Sequence, residues 1–172
     1  GIGQMGGKGT FQDDRIPSDP PGGIFIVQTP DLVTPKLPAL LAYQLSLRPP
    51  KAPKGTINHA AASRGKQLFR NEAGCATCHQ GRTFTDVLSG PNPSVPVLHD
   101  PAETGMDPAY AARTATRRYR TTPLRGLQQH SPYFHDGSAP DLLAVVNHYD
   151  KHFGLNLTSA QKADLVEFLK SL

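Results

Sequence analysis

Apolar residues recur at helical spacing in four places along the chain. Near the end, Thr158-Ser159-Ala160-Gln161 reads as a capping box, and Leu165, Phe168, Leu169 and Leu172 follow at steps of three and four. That pattern predicts a C-terminal helix with one buried stripe. Upstream, Leu142, Val146, Tyr149 and Phe153 form a second stripe, which predicts a helix from about Pro140 to Phe153 with Ser138 as cap and Pro140 and Asp141 in its first turn. A third helix is expected from about Ala60 to Arg70. There Gly65 and Phe69 lie four apart on one face, so a partner backbone can approach at Gly65 while Phe69 packs beside it. The third helix and the C-terminal helix are therefore expected to cross. The fourth piece, Leu37 to Leu47, has Pro38 in its first turn and ends at Pro49-Pro50.

Elsewhere before residue 58 the periodicity fails. Gly1 to Gly9 is Gly-rich, Ile16 to Gly23 is Pro-rich, and Ile24-Phe25-Ile26-Val27 is a short apolar run. The expected organisation is an irregular arm over 1–58 with one short helix, and a compact domain over 59–172. Composition agrees, because 16 Gly and 17 Pro in 172 residues imply long irregular stretches around a modest core. The longest apolar run, Pro38 to Tyr43, is far short of the roughly 20 residues a spanning helix needs. No membrane span is expected. No stretch has the build of a signal peptide, so a chain opening at Gly1 is expected to be a processed or excised product, its leader removed or upstream.

The formal charge is +4 with a pI near 9.2. It is concentrated in Arg113, Arg117, Arg118, Arg120 and Arg125. Nucleic-acid binding would need basic clusters interleaved with stacking aromatics, and none is expected here. A mild positive excess instead suits an acidic redox protein partner.

Both cysteines fall in one pentapeptide, Cys75-Ala76-Thr77-Cys78-His79, the attachment pattern for a c-type haem. Two thiols separated by two residues reach the two vinyl groups on one porphyrin edge while the adjoining imidazole ligates iron. Structural zinc would want four ligands, and there is no second cysteine pair. A redox dithiol would sit between a buried strand and a helix, whereas Ala60 to Gly74 reads as helix and polar loop. One covalent haem c, held by Cys75, Cys78 and His79, is the expectation. Covalent attachment implies an oxidising, periplasmic or otherwise extracytoplasmic compartment.

With the helix-crossing pair Gly65 and Phe69 set against Leu165 and Phe168, the arrangement resembles the class I cytochrome c fold. The expected class is all-α, with a long Pro/Gly-rich N-terminal arm and an extended loop between the haem motif and the C-terminal helices. Thr122-Pro123-Leu124-Arg125-Gly126-Leu127, followed by Ser131-Pro132-Tyr133-Phe134-His135-Asp136-Gly137, resembles the C-terminal, electron-transfer haem domain of bacterial di-haem cytochrome c peroxidases and of the related quinone-cofactor-maturing enzyme. Those enzymes carry two haems and this chain has one attachment motif. The resemblance thus implies an upstream domain or separate subunit for the peroxide-activating half.

It also implies a sixth iron ligand from the helix after the Tyr-Phe-His loop, where gapless alignment places Tyr149. The inward stripe of that helix contains Tyr149 as well. His148, about 100° away, is the stronger donor, and Met106 offers a thioether from the loop Thr104 to Pro108. Tyr149, Met106 and His148 all remain candidates, with His130, His135 or an open position beyond them. Arg125, Tyr133 and His135 are candidate haem contacts, with Arg125 the best propionate partner because a guanidinium pairs two carboxylate oxygens. His59, His99 and His152 read as surface residues. Two functions follow from this site: electron transfer through Fe(II)/Fe(III) cycling, or a peroxidase-like haem oxidoreductase, whole or as part of a larger di-haem enzyme.

Overall fold

A computed structural model describes residues 9–11, 24–26, 30–92 and 95–172. The Gly-rich opening before Gly9 and the Pro-rich stretch Ile16 to Gly23 lie outside the described residues. The chain divides into two compact units, Gly1–Arg48 and Pro49–Leu172.

In the first unit the backbone pairs antiparallel between β1 (Gly9–Phe11) and β2 (Ile24–Ile26), with Thr10 opposite Phe25. A 3-10 turn at Thr34–Lys36 leads into α1 (Leu37–Ser46), with proline in its first turn as expected. Along α1 and just past it, Leu37, Leu40, Leu41, Tyr43, Leu45 and Leu47 are all exposed.

The second unit is helical. α2 (His59–Arg70) is capped by Asn58, whose side chain accepts from the Ala61 N–H at 3.1 Å. α6 (Ser159–Lys170) opens on the predicted capping box of Thr158 and Gln161. These helices cross where expected. A Cβ on Gly65 would lie 2.0 Å from the Asp164 carbonyl oxygen and 2.9 Å from the Phe168 Cβ. Only a residue without a side chain allows that approach. Around the crossing, Leu68, Phe69, Leu165, Phe168 and Leu169 are buried, each side chain contributing about 1.5–3 kcal/mol of burial. Polar contacts set the register. Asn58 N–H donates to Glu167 Oε2 at 2.7 Å, and the Arg64 guanidinium pairs Asp164 bidentately at 2.7 and 2.6 Å.

Between them come α3 (Pro101–Thr104), α4 (Pro108–Ala111) and α5 (Leu142–Phe153). α5 begins later than the sequence suggested. Its cap is Asp141, which accepts from Ala144 N–H at 2.8 Å, not Ser138. The preceding residues are used in a turn: Tyr133 and Ala139 form a β-bridge, and Ser131 Oγ donates to the Pro140 carbonyl at 2.6 Å. Leu142 and Val146 are buried as the stripe requires, whereas Phe153 at its end is 53% exposed. It lies in the last turn and stacks on Tyr149, the rings 6.0 Å apart and 13° from parallel.

Candidate haem site

The pentapeptide lies just past α2. Gly74 takes a left-handed conformation (φ 62°), which turns the chain out of α2 and into a 3-10 turn over Cys75–Thr77. His79 N–H donates back to the Cys75 carbonyl at 2.9 Å, so both thiols and the imidazole are carried on one tight loop. Both cysteines are free and half-buried. Burial pushes the Cys75 thiol up to about 11 and raises Cys78 as well, the latter also through Asp86 and Glu103.

His79 Nδ1 lies 2.9 Å from the Phe84 carbonyl oxygen. A carbonyl only accepts, so Nδ1 carries the proton and Nε2 is left with a lone pair. Burial lowers the His79 pKa despite that hydrogen bond, which keeps the ring in the neutral form a metal requires. Phe84 itself sits at φ 55°, a strained conformation for a large L-residue of the kind that gathers at functional sites. Phe69, Phe84 and Phe168 meet edge to face behind His79. Beside them opens a cavity of about 380 Å³ lined by Phe69, Ala76, His79, Phe84, Phe168 and Leu172 among others.

The residues present therefore fit a haem c: two reduced thiols at the right spacing, a neutral imidazole with its outer nitrogen free, and a cavity lined by three phenylalanines and Leu172 together with the polar Lys66, Arg70 and Gln80. Cys75, Ala76, Phe84, Leu124 and Tyr133 border the buried core yet are themselves only partly buried.

The other candidates are spread around this loop. Tyr149 is half-buried on α5, and burial, together with Cys75 and Cys78, pushes its phenol up to about 12. Its ring meets Phe134 at 5.9 Å and His148 at 5.1 Å, both edge-on. Phe134 is also left-handed (φ 65°). His148 Nε2 donates to the Thr104 carbonyl at 2.9 Å, and His152 Nε2 to the Glu103 carbonyl at 3.1 Å. The two histidines thus fasten α5 to the end of α3, next to Gly105, where a Cβ would stand 2.6 Å from His152 Nδ1. Met106 is half-buried, its N–H donating to the Pro101 carbonyl. Tyr133 packs against the core and donates its hydroxyl to the Leu127 carbonyl at 2.7 Å. Arg125 is half-buried ahead of Gly126, whose N–H donates to the Leu172 carbonyl at 2.9 Å. His130 is exposed. His135 is exposed too, set between the rings of Tyr110 and Tyr119.

One group escaped sequence reading. His99, expected at the surface, bonds through Nε2 to Asp86 Oδ2 and through Nδ1 to Glu103 Oε2, each at 2.9 Å. Asp86 is 4% exposed, and its Oδ1 has no partner among the described residues. The spacing of His99 and Glu103, four apart, was a local signal for half of this chain of contacts; Asp86 lies 13 residues away and gave none. Cys78, Asp86 and His99 place their ligand atoms within 4.8 Å of one another. Both His99 nitrogens, however, are taken up by carboxylate oxygens, so the protonated ring that these bonds favour has no lone pair for a metal.

Burial alone would lower the His99 pKa, but the bonds to Glu103 and Asp86 raise it above the ordinary 6.5. A raised folded value means that folding favours the protonated ring. The contribution is complete below pH 6.5 and is lost as pH rises through the folded value. Urea titrations are thus expected to show stability declining on the alkaline side of pH 6.5. His99→Gln removes that slope, and an unchanged slope in the variant would refute the assignment.

Among the described residues no helix is long and apolar enough to cross a membrane. MauG, a methylamine utilization protein of Methylorubrum extorquens, is 33% identical over 131 aligned residues, covering 66% of this chain and 35% of its own length. The cytochrome-c peroxidase IdrP2 of Denitromonas iodatirespirans is 30% identical, covering 63% and 38%. A crystal structure of a MauG-like protein associated with microbial copper homeostasis superposes with a TM-score of 0.50 at 26% identity, over 65% of this chain and 46% of that one. The chain thus spans little more than a third of these two curated relatives. The family model for cytochrome c matches residues 62–172, from within α2 through the haem-attachment loop to the end of α6, and the chain belongs to the cytochrome c family.

Proposed function

We propose that this chain carries single electrons on one haem c attached at Cys75 and Cys78, with His79 as the proximal ligand and Tyr149 as the group on the opposite side. A bound haem c supplies reversible one-electron storage at its iron. The carrying observation is that Cys75, Cys78 and His79 share one tight loop on which the Phe84 carbonyl holds the His79 proton at Nδ1 and leaves Nε2 its lone pair.

The chain's own groups divide the work. Phe84 holds the proton of His79 on Nδ1, which orients the ring. Phe134 and His148, whose own rings meet at 4.9 Å, pack edge-on against the Tyr149 ring, and Phe153 stacks on it. Peroxide chemistry would need a mobile acid or base over an open position. His148 spends its Nε2 proton on the Thr104 carbonyl, and His135 bonds to Tyr119, so neither is placed for that role. Arg125 and Tyr133 serve as haem contacts in this reading. Covalent attachment places the chain in an oxidising, extracytoplasmic compartment.

Visible spectra test the assignment. The haem-loaded wild type is expected to ignore cyanide and peroxide, whereas Tyr149→Phe opens the sixth position, becomes high-spin in the ferric form and binds cyanide. If the Tyr149 proton is displaced by bound iron, the resulting tyrosinate would favour Fe(III), so losing that oxygen donor is expected to raise the reduction potential. A wild type that already reacts with peroxide would sink the carrier reading and favour a peroxidase-like enzyme.

A second reading, that the chain forms part of a larger di-haem oxidoreductase, has its own support in α1. Leu40, Tyr43 and Leu47 repeat the spacing of Leu165, Phe168 and Leu172 in and beyond α6. In α6 the first two of these are buried at the α2 crossing; in α1 the corresponding side chains are 49%, 62% and 48% exposed. A helix apolar on every side calls for burial, and a second cytochrome-like domain would present a matching helix. Native material that elutes as a one-haem monomer would count against this reading.

A further inference from the structure

We propose that the face built by Tyr110, Arg113, Arg117, Arg118, Tyr119 and His135 is the docking surface for an acidic redox protein partner. This rests on the electron-carrier reading and adds to it where the partner binds and by what chemistry.

Charge is the first argument. From Tyr110 to Thr122 the chain carries Arg113, Arg117, Arg118 and Arg120 and not one Asp or Glu. All four arginines are exposed. The nearest upstream carboxylates are engaged: Glu103 accepts from His99, and Asp107 caps α4 through the Ala109 N–H at 2.6 Å. An acidic surface would meet a concentrated positive field here, which raises the encounter rate and orients the approach.

The second argument is composition and rigidity. Tyr and Arg are the residues that dominate binding energy at interfaces, and here the exposed arginines lie in the same segment as two tyrosines whose rings meet His135. His135 lies between Tyr119, with ring centres 4.7 Å apart, and Tyr110 at 5.8 Å. Tyr110 is 57% exposed. The Tyr119 hydroxyl donates to the Asp107 carbonyl at 2.7 Å and accepts from the Ala111 N–H at 3.1 Å. Its proton is thus spent, so His135 Nε2, also at 3.1 Å, donates to it. A phenol with every site used holds the stack in place before any partner arrives, which lowers the ordering cost of association. Arg117 sits at φ 52°, a left-handed conformation that is strained for a non-glycine residue. Glycine or asparagine would relieve that strain, yet a cation occupies the position.

Connection to the attachment site is the third argument. Tyr119 and His99 exchange both backbone hydrogen bonds, at 2.7 and 2.9 Å. His99 bonds to Asp86, and both lie within 4.8 Å of the Cys78 sulfur. One β-bridge and one side-chain hydrogen bond therefore link the patch to Asp86, whose carboxylate lies within 4.8 Å of the Cys78 sulfur. That is a short, packed route for an electron.

Stopped-flow oxidation of the reduced, haem-loaded protein tests the surface. Plastocyanin, an acidic copper protein, is the macromolecular acceptor, and uncharged benzoquinone is the small one. Arg113→Glu/Arg117→Glu is compared with Lys51→Glu/Lys54→Glu, which changes net charge equally in the segment before α2. At low ionic strength the arginine variant is expected to lose at least tenfold in rate toward plastocyanin, the lysine variant no more than twofold. Neither should change toward benzoquinone. The difference should shrink as the screening length falls to about 8 Å near 0.15 M salt. Equal slowing in both variants, full activity in the arginine variant, or a matching loss toward benzoquinone would each overturn the docking role. A wild type that reduces neither acceptor would instead overturn the electron-carrier reading itself.

Discussion

A chain with both Cys75 and Cys78 replaced by serine is expected to emerge without covalent haem, its mass equal to the bare polypeptide and its pyridine haemochrome signal absent after acid extraction. The two thiols are half-buried on one tight turn, and no other cysteine exists to substitute for them. Stability should fall as well. Phe84, Leu124 and Tyr133 lie against the core cluster but are only partly buried, so the protein's own side chains leave apolar area for a porphyrin plate to cover. At about 25 cal/mol per Å² of apolar surface, that cover is large beside the roughly 5–15 kcal/mol on which a domain of this size rests. The expected result is a variant with helical circular dichroism reduced and no sharp melting transition. His79→Ala, which leaves both thiols in place, separates the two effects: thioethers still form, and the spectrum reports a lost proximal ligand. A cooperative melt in the double serine variant, matching that of the haem-loaded wild type, would refute the structural role of the attachment.

Gly65→Ala should be the most damaging single methyl in the molecule. In an ordinary helix this change gains about 0.5–1 kcal/mol. Here the new Cβ would stand 2.0 Å from the Asp164 carbonyl oxygen and 2.5 Å from its carbon, and backbone cannot step aside as a flexible side chain can. α2 and α6 must separate, loosening Phe69 and Phe168 together and stretching the Arg64–Asp164 pair. Overpacking costs about 1–3 kcal/mol where side chains can adjust; against backbone a net loss of roughly 3 kcal/mol or more is expected in urea titrations. Gly154→Ala is a useful contrast. Gly154 ends α5 at φ 61°, and a Cβ added there would meet nothing within 4 Å, so its cost should be the left-handed strain alone, about 1–2 kcal/mol. Similar losses at the two positions would mean that the helix crossing is softer than its geometry indicates.

Much of this is legible along the chain, and the legible parts share a property: each depends on residues close in sequence. The haem pentapeptide is local by construction. The Thr158–Gln161 cap spans one turn, and the stripe of α6 needs only the helical period. Gly65 and Phe69 declare a crossing face without naming the partner, yet α6 carries a single apolar stripe to meet it. α5 shows where local reading slips. Ser138 and Pro140 have the right chemistry for a helix start, but the Tyr133–Ala139 bridge claims that segment, and the Asp141 carboxylate takes the cap three residues later.

The sequence by itself determined the haem-attachment loop, the four main helices and the close helix contact at Gly65, because spacing along the chain encodes them. Only the tertiary structure decided that the Phe84 carbonyl fixes the proton on His79, and that Asp86, His99 and Glu103 form a single ion-paired chain. It likewise decided that His148 is tied to the Thr104 carbonyl while its ring meets Tyr149, and that the rings of Tyr110 and Tyr119 both meet His135. Apart from the His99–Glu103 pair, four apart, and the adjacent His148 and Tyr149, those contacts join residues 5 to 44 positions apart across loops, where no period operates and the path of the chain alone sets which groups meet.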